Sequence, residues 1–563
     1  MGGIFPEIGG GQMSGGYWPE GVKRHLRYPR IPVFQLLRSA AALWPGRNAL
    51  VFGGMELTFR ELDLLSDRFA AALADMGVGK GDRVGIHLPN CPQFAVAYYG
   101  LLKAGAVYVP LDQHLSEREL LYQLRDAEVE TYLGLDITFR MPRRVLPRTP
   151  VRRVILTSLT DCYPRVSRPV KPLRQASFPP LAADFAELLS YYPEEPPDIS
   201  FDVERDLAHI VYTGGVAGRE LGVMTTHFNV VANCCQFTHW FAGGVVSWRK
   251  GRLEVRWPAG DGPERHVVRR GAEVSLIVVP WTHVMGIVAF FNIQVMNGWT
   301  MIVSARFDPE QYLLDIGKYS ATGFGGPPQL FVPLMENPAF NRKNLEDIRL
   351  VVSGAAPLEP QVLRRLMRRV PGLVCEGYGL TECTMGCTAN PPSREGVRPG
   401  SVGLPLPDTE VRLVDPLDGR TAVRKGETGE ITVRGPQVTP GYWRRPEETA
   451  RVYRDGWLYT GDLGRRDGDG FLYIVGRKKD MLICKGFNVY PHELEEVLRG
   501  HPSVAGAVVV GRKDVRYGEV PIAYVQLKPG ESAEPGELMD YANRRLARYK
   551  RIRELHLVEE LPR

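Results

Sequence analysis

Apolar positions in the first third of the chain repeat with two alternating periods. Leu62, Leu65, Phe69, Leu73 and Met76 recur every three or four residues, which winds them onto one face of a helix. Thr58 and Glu61 stand at the spacing of a capping box ahead of that run, and Gly77 closes it. Residues 83–88 predict a short strand, 95–104 a helix and 106–110 a strand. Ser116 with Glu119 then opens a further helix with a second capping box. Helices alternating with short strands mark a layered α/β domain around a largely parallel sheet.

Further along, the pattern changes three times. Residues 158–200 are rich in Pro, Ser and Arg with weak periodicity and read as a surface excursion. In residues 243–272, Leu253, Val255 and Trp257 alternate with charged residues, 258–263 reads as a turn, and 266–268 returns as its partner. This predicts a hairpin insertion with a basic surface made by Arg249, Lys250, Arg252, Arg256, Arg265, Arg269 and Arg270. Such a surface suits a phosphorylated substrate, an acidic membrane or plain solvation. Near residues 476–480 a strand-rich stretch (430–433, 471–475) gives way to a compact piece with a helix at 491–498 and strands at 505–510 and 521–527.

The organisation expected is therefore α/β: a large layered N-terminal domain over residues 31–476, with mixed sheets and a strand-rich subdomain. A small mobile α+β C-terminal domain follows over 477–563. Residues 1–30 read as a flexible lead. They are glycine-rich and lack a charged segment followed by an apolar one, so they do not read as a signal peptide. The most apolar stretch, 278–303, is broken by His283, Asn292, Gln294 and Asn297. It reads as a buried helix and strand rather than a membrane span.

Composition narrows the function classes. The 563 residues are 44% hydrophobic and 24% charged, a globular balance too long for one core. A net charge of +6 over that length is too dilute for a nucleic-acid groove. The eight cysteines (Cys91, Cys162, Cys234, Cys235, Cys375, Cys383, Cys387 and Cys484) contain no C-x-x-C pair, so they read as buried thiols of a cytoplasmic protein. No signal of an oligomeric state is present.

Two stretches carry chemistry. At 209–222 an apolar strand runs into a glycine-rich loop with Gly214, Gly215, Gly218 and Gly222, where backbone N–H groups can turn towards a phosphate. At 376–382 the run Glu376-Gly377-Tyr378-Gly379-Leu380-Thr381-Glu382 sets an aromatic ring, a hydroxyl and a carboxylate between glycines. The ring suits a purine face, and the hydroxyl and carboxylate suit Mg²⁺ held against phosphate oxygens. Taken singly, these residues fit a tight turn, a core tyrosine and a surface carboxylate equally.

Together and in this order, they resemble the superfamily of adenylate-forming enzymes, which includes acyl-CoA synthetases, luciferases and peptide-synthetase adenylation domains. The likeness runs from about Pro32 to Arg563 and is strongest to long-chain fatty-acid–CoA ligases. It implies activation of a fatty or aromatic carboxylic acid with ATP and Mg²⁺ as acyl-AMP, then transfer to coenzyme A. It implies no nucleic acid partner and leaves peripheral membrane contact open.

Carried over residue by residue, the resemblance implies that Thr213, Gly214, Gly215 and Gly218 line the phosphates. Gly354, Ala355, Ala356, Tyr378 and Gly379 would cradle adenine, Thr381 would touch the α-phosphate, and Glu382 would bind Mg²⁺. Asp462 would hold the ribose with Arg477 assisting, and Lys479 would be the hinge of the small domain. His283 would meet the substrate carboxylate, Lys485 with Gly486 would face the thioester step, and Gly325, Gly326, Pro327 and Pro328 would wall the acyl site.

The chain departs from the family pattern in two places. Where the phosphate loop usually reads Y-T-S-G-T-T-G-x-P-K-G, this chain has Gly214, Val216 and Ala217 in place of hydroxyl residues. Glu220 stands in place of the proline and Leu221 in place of the lysine. The sequence also reads as stopping at Leu561-Pro562-Arg563, before the lysine that usually follows; Lys550 and Arg551 are poor substitutes. Both departures predict a weakened adenylation step. The competing expectations are a catalytically weakened homologue that binds nucleotide or acyl ligand, and an aromatic-acid–CoA ligase or carrier-loading enzyme.

Overall fold

The structure, a computed structural model, describes residues 16–161, 181–213, 220–257, 261–262, 265–484, 487–514 and 518–561. The chain clusters into two compact units. The larger holds Trp18–Glu410 and Arg434–Leu458; the smaller holds Met1–Tyr17, Val411–Val433 and Tyr459–Arg563. The stretches 411–433 and 459–476, which composition places with the large domain, thus cluster with the C-terminal segment.

In the larger unit the early helix–strand alternation takes its expected form. Helix Phe59–Asp75 is capped by Thr58, whose Oγ1 accepts from Glu61 N at 3.2 Å while its own N–H donates to Glu61 Oε2 at 2.8 Å. Ser116 and Glu119 form the second box on helix Glu117–Asp126. Helix Pro92–Lys103 is buried along its whole length. It can lie this close to Phe59–Asp75 because Gly100 has no side chain: a Cβ there would meet Phe69 Cδ1 at 2.7 Å.

Two large sheets organise this unit. One runs in the spatial order Gly441–Tyr442, Leu221–Thr226, Leu207–Thr213, Val107–Pro110, Arg83–His87, Thr131–Leu135, Arg153–Thr157, Leu181–Asp184. The other runs Leu404–Pro405, Thr388–Ala389, Leu373–Tyr378, Leu350–Ser353, Gly323–Gly326, Val274–Ile277, Thr300–Val303, Asn48–Phe52, Met55–Thr58. The four strands Leu373–Tyr378, Leu350–Ser353, Gly323–Gly326 and Val274–Ile277 are mutually parallel.

Three expectations need correction. The stretch 158–200 is not all surface excursion: Leu181–Asp184 pairs in parallel with Arg153–Thr157, and helix Phe185–Tyr191 buries Phe185 against Phe69 at 5.0 Å between centroids. Its few apolar residues are enough to seat a short edge strand and helix. The basic hairpin forms but carries only Arg249, Lys250, Arg252 and Arg256 and turns at Lys250-Gly251, where Val245–Arg249 pairs with Arg252–Arg256. Arg265, Arg269 and Arg270 lie outside it, Arg269 on Glu273 and Arg270 donating to Met296 O at 2.9 Å. Its partner strand precedes Leu253 rather than following it, and His266–Val268 forms no strand. Finally, residues 24–28 are held rather than loose. Asp408 accepts from Leu26 N at 2.8 Å and Tyr28 Oη at 2.7 Å and lies 2.9 Å from His25 Nδ1, while its own N–H donates to Arg24 O.

The apolar stretch 278–303 is a buried helix and strand as expected, with a π-helical turn at Met285–Asn292 that periodicity does not reveal. Among the described residues no helix is long and apolar enough to cross a membrane. Among the described residues no disulfide forms, and the seven described cysteines are buried; Cys162 lies outside the described residues.

A third sheet sets Glu410–Val414, Gly429–Arg434 and Trp457–Arg466 side by side, with Leu472–Arg477 antiparallel to the last. In the smaller unit a further sheet runs Phe487–Val489, Leu482–Cys484, Gly518–Leu527, Val504–Asp514, with Glu554–Leu557 parallel to Gly518–Leu527. Helices Pro491–Arg499 and Pro535–Asn543 bury Leu494, Leu498, Leu538 and Ala542 in the core beside it.

Candidate functional site

Parallel register brings the distant motifs of the larger unit to one place. Gly326 pairs with Ser353 and Ser353 with Glu376. The segments leaving these strands (His283, Pro327, Gly354-Ala355-Ala356 and Tyr378 to Glu382) therefore emerge at the same, carboxyl edge of the sheet. That edge is where open parallel sheets bind ligands.

Each segment is shaped by close packing. A Cβ on Gly379 would lie 1.9 Å from Met385 O, and one on Gly325 would lie 2.3 Å from Val352 O, so neither position admits a side chain. Ala355 takes φ +66° and Thr384 takes φ +65° with ψ −50°, conformations costly for L residues that cluster at functional sites. Thr384 is held there by its hydroxyl donating to Gln437 O at 2.7 Å.

Ser353 and Glu376, neighbours across the two strands, carry the main polar surprise. Glu376 Oε1 accepts from Leu358 N at 2.9 Å, which ties down the Gly354-Ala355-Ala356 turn. Glu376 Oε2 and Ser353 Oγ are buried and find no hydrogen-bond partner among the described residues. Burial raises the Glu376 pKa to about 7, partly offset by the bond from Leu358. A buried carboxyl and a buried hydroxyl therefore keep hydrogen-bonding capacity unspent at this edge of the sheet.

His283 follows the strand Val274–Ile277. Asn90 anchors this segment by donating to Val279 O at 2.9 Å and accepting from Trp281 N at 2.8 Å. The buried Trp281 ring packs on Phe291 at 4.5 Å and Phe94 at 5.3 Å. His283 is exposed in a tightly packed segment whose neighbours Trp281 and Val284 are buried. Desolvation by the surrounding residues lowers its pKa, outweighing the pull of Asp112. Its Nδ1 accepts from Met285 N at 3.2 Å, which leaves the ring proton on Nε2 as a donor.

Thr381 and Glu382 lie in a short 3₁₀ turn and are both half-buried. Tyr442 Oη donates to Glu382 Oε1 at 2.7 Å, and Thr439 N donates to Glu382 O at 2.9 Å. Among the described residues no three His, Cys, Asp or Glu side chains cluster as a metal cage. The donor set here is a single carboxylate, the kind of site Mg²⁺ uses when phosphate oxygens and water complete its shell. Tyr378 is half-buried, with its carbonyl accepting from Cys387 N at 2.9 Å.

The glycine-rich loop is seen at its flanks. Gly214, Gly215 and Gly218 lie outside the described residues. Thr213 pairs with Leu221 across the antiparallel strands leading in and out. Tyr212 Oη donates to Asp126 Oδ2 at 2.9 Å. The Glu220 carboxylate accepts from Gln123 Nε2 at 2.8 Å and its carbonyl from Tyr122 Oη at 2.7 Å. Helix Glu117–Asp126 thus holds both flanks, and the Glu220 charge is engaged by an amide.

In the smaller unit Asp462 and Arg477 are opposite each other across Trp457–Arg466 and Leu472–Arg477. Arg477 Nε lies 2.6 Å from Asp462 Oδ1; the carboxylate is buried and the guanidinium exposed. Lys478 pairs with Glu430 at 2.7 Å, while Lys479 is exposed. Lys485 and Gly486 lie outside the described residues.

Sequence reasoning missed Tyr442, Asn90, the Ser353–Glu376 pair and the roles of Gln123 and Asp126. Only Glu376 had a visible signal, as the first residue of the run ending in Glu382.

Comparison with known proteins adds the following. The family model described as "AMP-binding enzyme" matches residues 37–443, and "AMP-binding enzyme C-terminal domain" matches 493–563. The long-chain-fatty-acid–CoA ligase of Bacillus subtilis (strain 168) is 36% identical over 556 residues, covering 97% of this chain and 94% of that protein. The feruloyl-CoA synthase of Amycolatopsis sp is 31% identical over 522 residues, covering 93% and 94%. The crystal structure of ATP-bound MatB from Rhodopseudomonas palustris matches with a TM-score of 0.79 at 28% identity, covering 95% of this chain and 96% of that one.

Proposed function

The chain belongs to the AMP-binding enzyme family, and on that premise we propose that it is an acid–thiol ligase that activates a fatty or aromatic acid with ATP and passes it to coenzyme A. The convergence of Gly354, Ser353, Glu376 and Tyr378 on one sheet edge is the observation that carries this reading.

In the first step a substrate carboxylate oxygen attacks the α-phosphorus of ATP and pyrophosphate leaves. In the second the thiol of coenzyme A, giving up its proton, attacks the acyl carbon and AMP leaves. Neither step needs a covalent bond to the protein, so the residues act by positioning and by placing donors where charge develops. His283 Nε2–H meets the substrate carboxylate, Thr381 touches the α-phosphate, and Tyr378 covers the adenine that Gly354, Ala355, Ala356 and Gly379 approach. Asp462 with Arg477 suits the ribose diol, Lys479 is the hinge and Lys485 serves the thioester step. Mg²⁺ held by Glu382 would neutralise phosphate charge. A cytoplasmic enzyme would find both ATP and coenzyme A.

The loop chemistry points to slow adenylation. Val216, Ala217 and Leu221 supply no side-chain donor where a phosphate would sit. Loss of one such donor lowers rates by about 10²–10³. Pyrophosphate exchange with ATP, Mg²⁺ and palmitate, octanoate or phenylacetate tests both points. Slow exchange is expected, rising about tenfold or more in Leu221→Lys. Exchange at an ordinary ligase rate removes the weakened-step proposal, and no AMP release with any acid removes the ligase reading. In that second outcome the same loop favours a nucleotide- or acyl-binding protein. The likeness to a feruloyl-CoA synthase is what keeps an aromatic substrate beside a fatty one.

A further inference from the structure

The ribbon Val245–Arg249 and Arg252–Arg256 takes no part in this chemistry. Its register sets Val246 opposite Val255, Trp248 opposite Leu253 and Arg249 opposite Arg252. Side chains alternate between faces, so Val246, Trp248, Leu253 and Val255 share one face and Arg249, Arg252, Glu254 and Arg256 the other. The first face is anchored. Leu253 is buried, and its N–H donates to Ser39 Oγ of helix Gln35–Leu43 at 3.0 Å. Trp248, nearest the turn, stays 37% exposed.

The second face is cationic. Arg249 and Lys250 are exposed, and the Arg252 and Arg256 side chains are 43% and 60% exposed. Glu254 is the one acid on the ribbon, 3.2 Å from Arg256 and 4.0 Å from Arg252. Among the described residues no ion pair reaches Arg249 or Lys250.

Two features of the tip work against the ribbon's own stability. Like charges directly opposite each other, as Arg249 and Arg252 are, destabilise a strand pair. The turn residues Lys250 and Gly251 take φ +48° and +73°. A two-residue turn with both central residues left-handed favours Asn-Gly, and a lysine there is strained. The ribbon thus carries cations at positions where folding alone favours other residues, and the repulsion between Arg249 and Arg252 eases when anions sit against the tip.

We infer that the ribbon tip docks on an anionic lipid bilayer, with Arg249, Lys250, Arg252 and Arg256 against lipid phosphates and Trp248 at headgroup level. Tryptophan prefers that interface, and clustered cations bind anionic leaflets. One exposed ring on a two-strand ribbon suits a planar charged surface and offers no series of stacking platforms for a strand of bases.

The test is co-sedimentation of the full chain with vesicles of phosphatidylcholine alone or mixed with phosphatidylglycerol. Binding to the mixed vesicles, little to the neutral ones, and release at about 1 M salt, where charges are screened within about 3 Å, are expected. The triple substitution Arg249→Gln, Lys250→Gln and Arg252→Gln should weaken partitioning about a hundredfold. Arg249→Lys with Arg252→Lys should keep it. Far-UV circular dichroism confirms that each variant is folded. Equal binding to neutral vesicles, insensitivity to salt, an unaffected triple variant, or binding to single-stranded nucleic acid but not to vesicles would overturn the inference; the salt and lipid comparisons need no variant.

Discussion

The phenol of Tyr442 donates to the Glu382 carboxylate at 2.7 Å from a strand far along the chain. Tyr442 is itself fixed: it pairs with Val223 on the strand leaving the glycine-rich loop, and its N–H donates to Thr449 Oγ1 at 3.0 Å. Burial, then Glu382, raises the phenol's pKa, so it stays a donor. The carboxylate is thereby oriented relative to the loop strand. Tyr442→Phe should weaken Mg·ATP binding about tenfold, the worth of a bond to a charged group, and leave metal-free AMP binding unchanged. Calorimetry with and without Mg²⁺ checks this; an equal loss for AMP would assign the phenol another role.

Glu376 makes stability depend on pH. Its folded pKa of about 7 lies above the ordinary 4.5, so the folded chain holds a proton that the unfolded chain releases between these values. Stability from this group is full below about pH 4.5 and falls as pH rises to about 7, by about 3 kcal/mol in all. Glu376→Gln cannot ionise. Its urea midpoint relative to wild type should therefore rise from pH 5 to pH 8, and a difference that stays flat would show that the carboxyl ionises freely.

Asp462 is buried while its partner Arg477 is exposed, so the two should respond unequally. Asp462→Ala should weaken AMP binding about 10- to 100-fold, as loss of charge-assisted bonds does. Arg477→Ala should cost several-fold less. Fluorescence titration with AMP distinguishes this from equal effects, which would place both groups on the nucleotide.

Lys103 is a structural charge. Its Nζ lies 2.7 Å from Asp67 Oδ1, 2.5 Å from Asp63 Oδ1 and 2.8 Å from Ser66 Oγ, with the ammonium fully buried. Burial lowers its pKa against the pull of Asp63 and Asp67. Lys103→Met leaves two carboxylates side by side and should lower unfolding stability by about 3–5 kcal/mol, read from the denaturant midpoint. An unchanged midpoint would mean that water reaches the acids.

Local pattern was enough to foresee much of this protein. The capping boxes at Thr58 and Ser116, the strands at 83–88 and 106–110, and the helix at 491–498 all follow from periodicity and end signals, which depend on neighbouring residues alone. Motif identity likewise pointed to Tyr378, Thr381, Glu382, Asp462 and Arg477 before any fold was known. Partnership between remote residues was beyond that reach. Alternation marked Arg252–Arg256 as a strand but not which neighbour it pairs with. Nothing local announced that Ser353 would stand beside Glu376, that Tyr442 would reach Glu382, or that Asn90 would clamp the segment before His283. Strand register and packing are set by burial summed over the whole sheet, so the unspent polar pair and the oriented carboxylate exist only once the chain is folded.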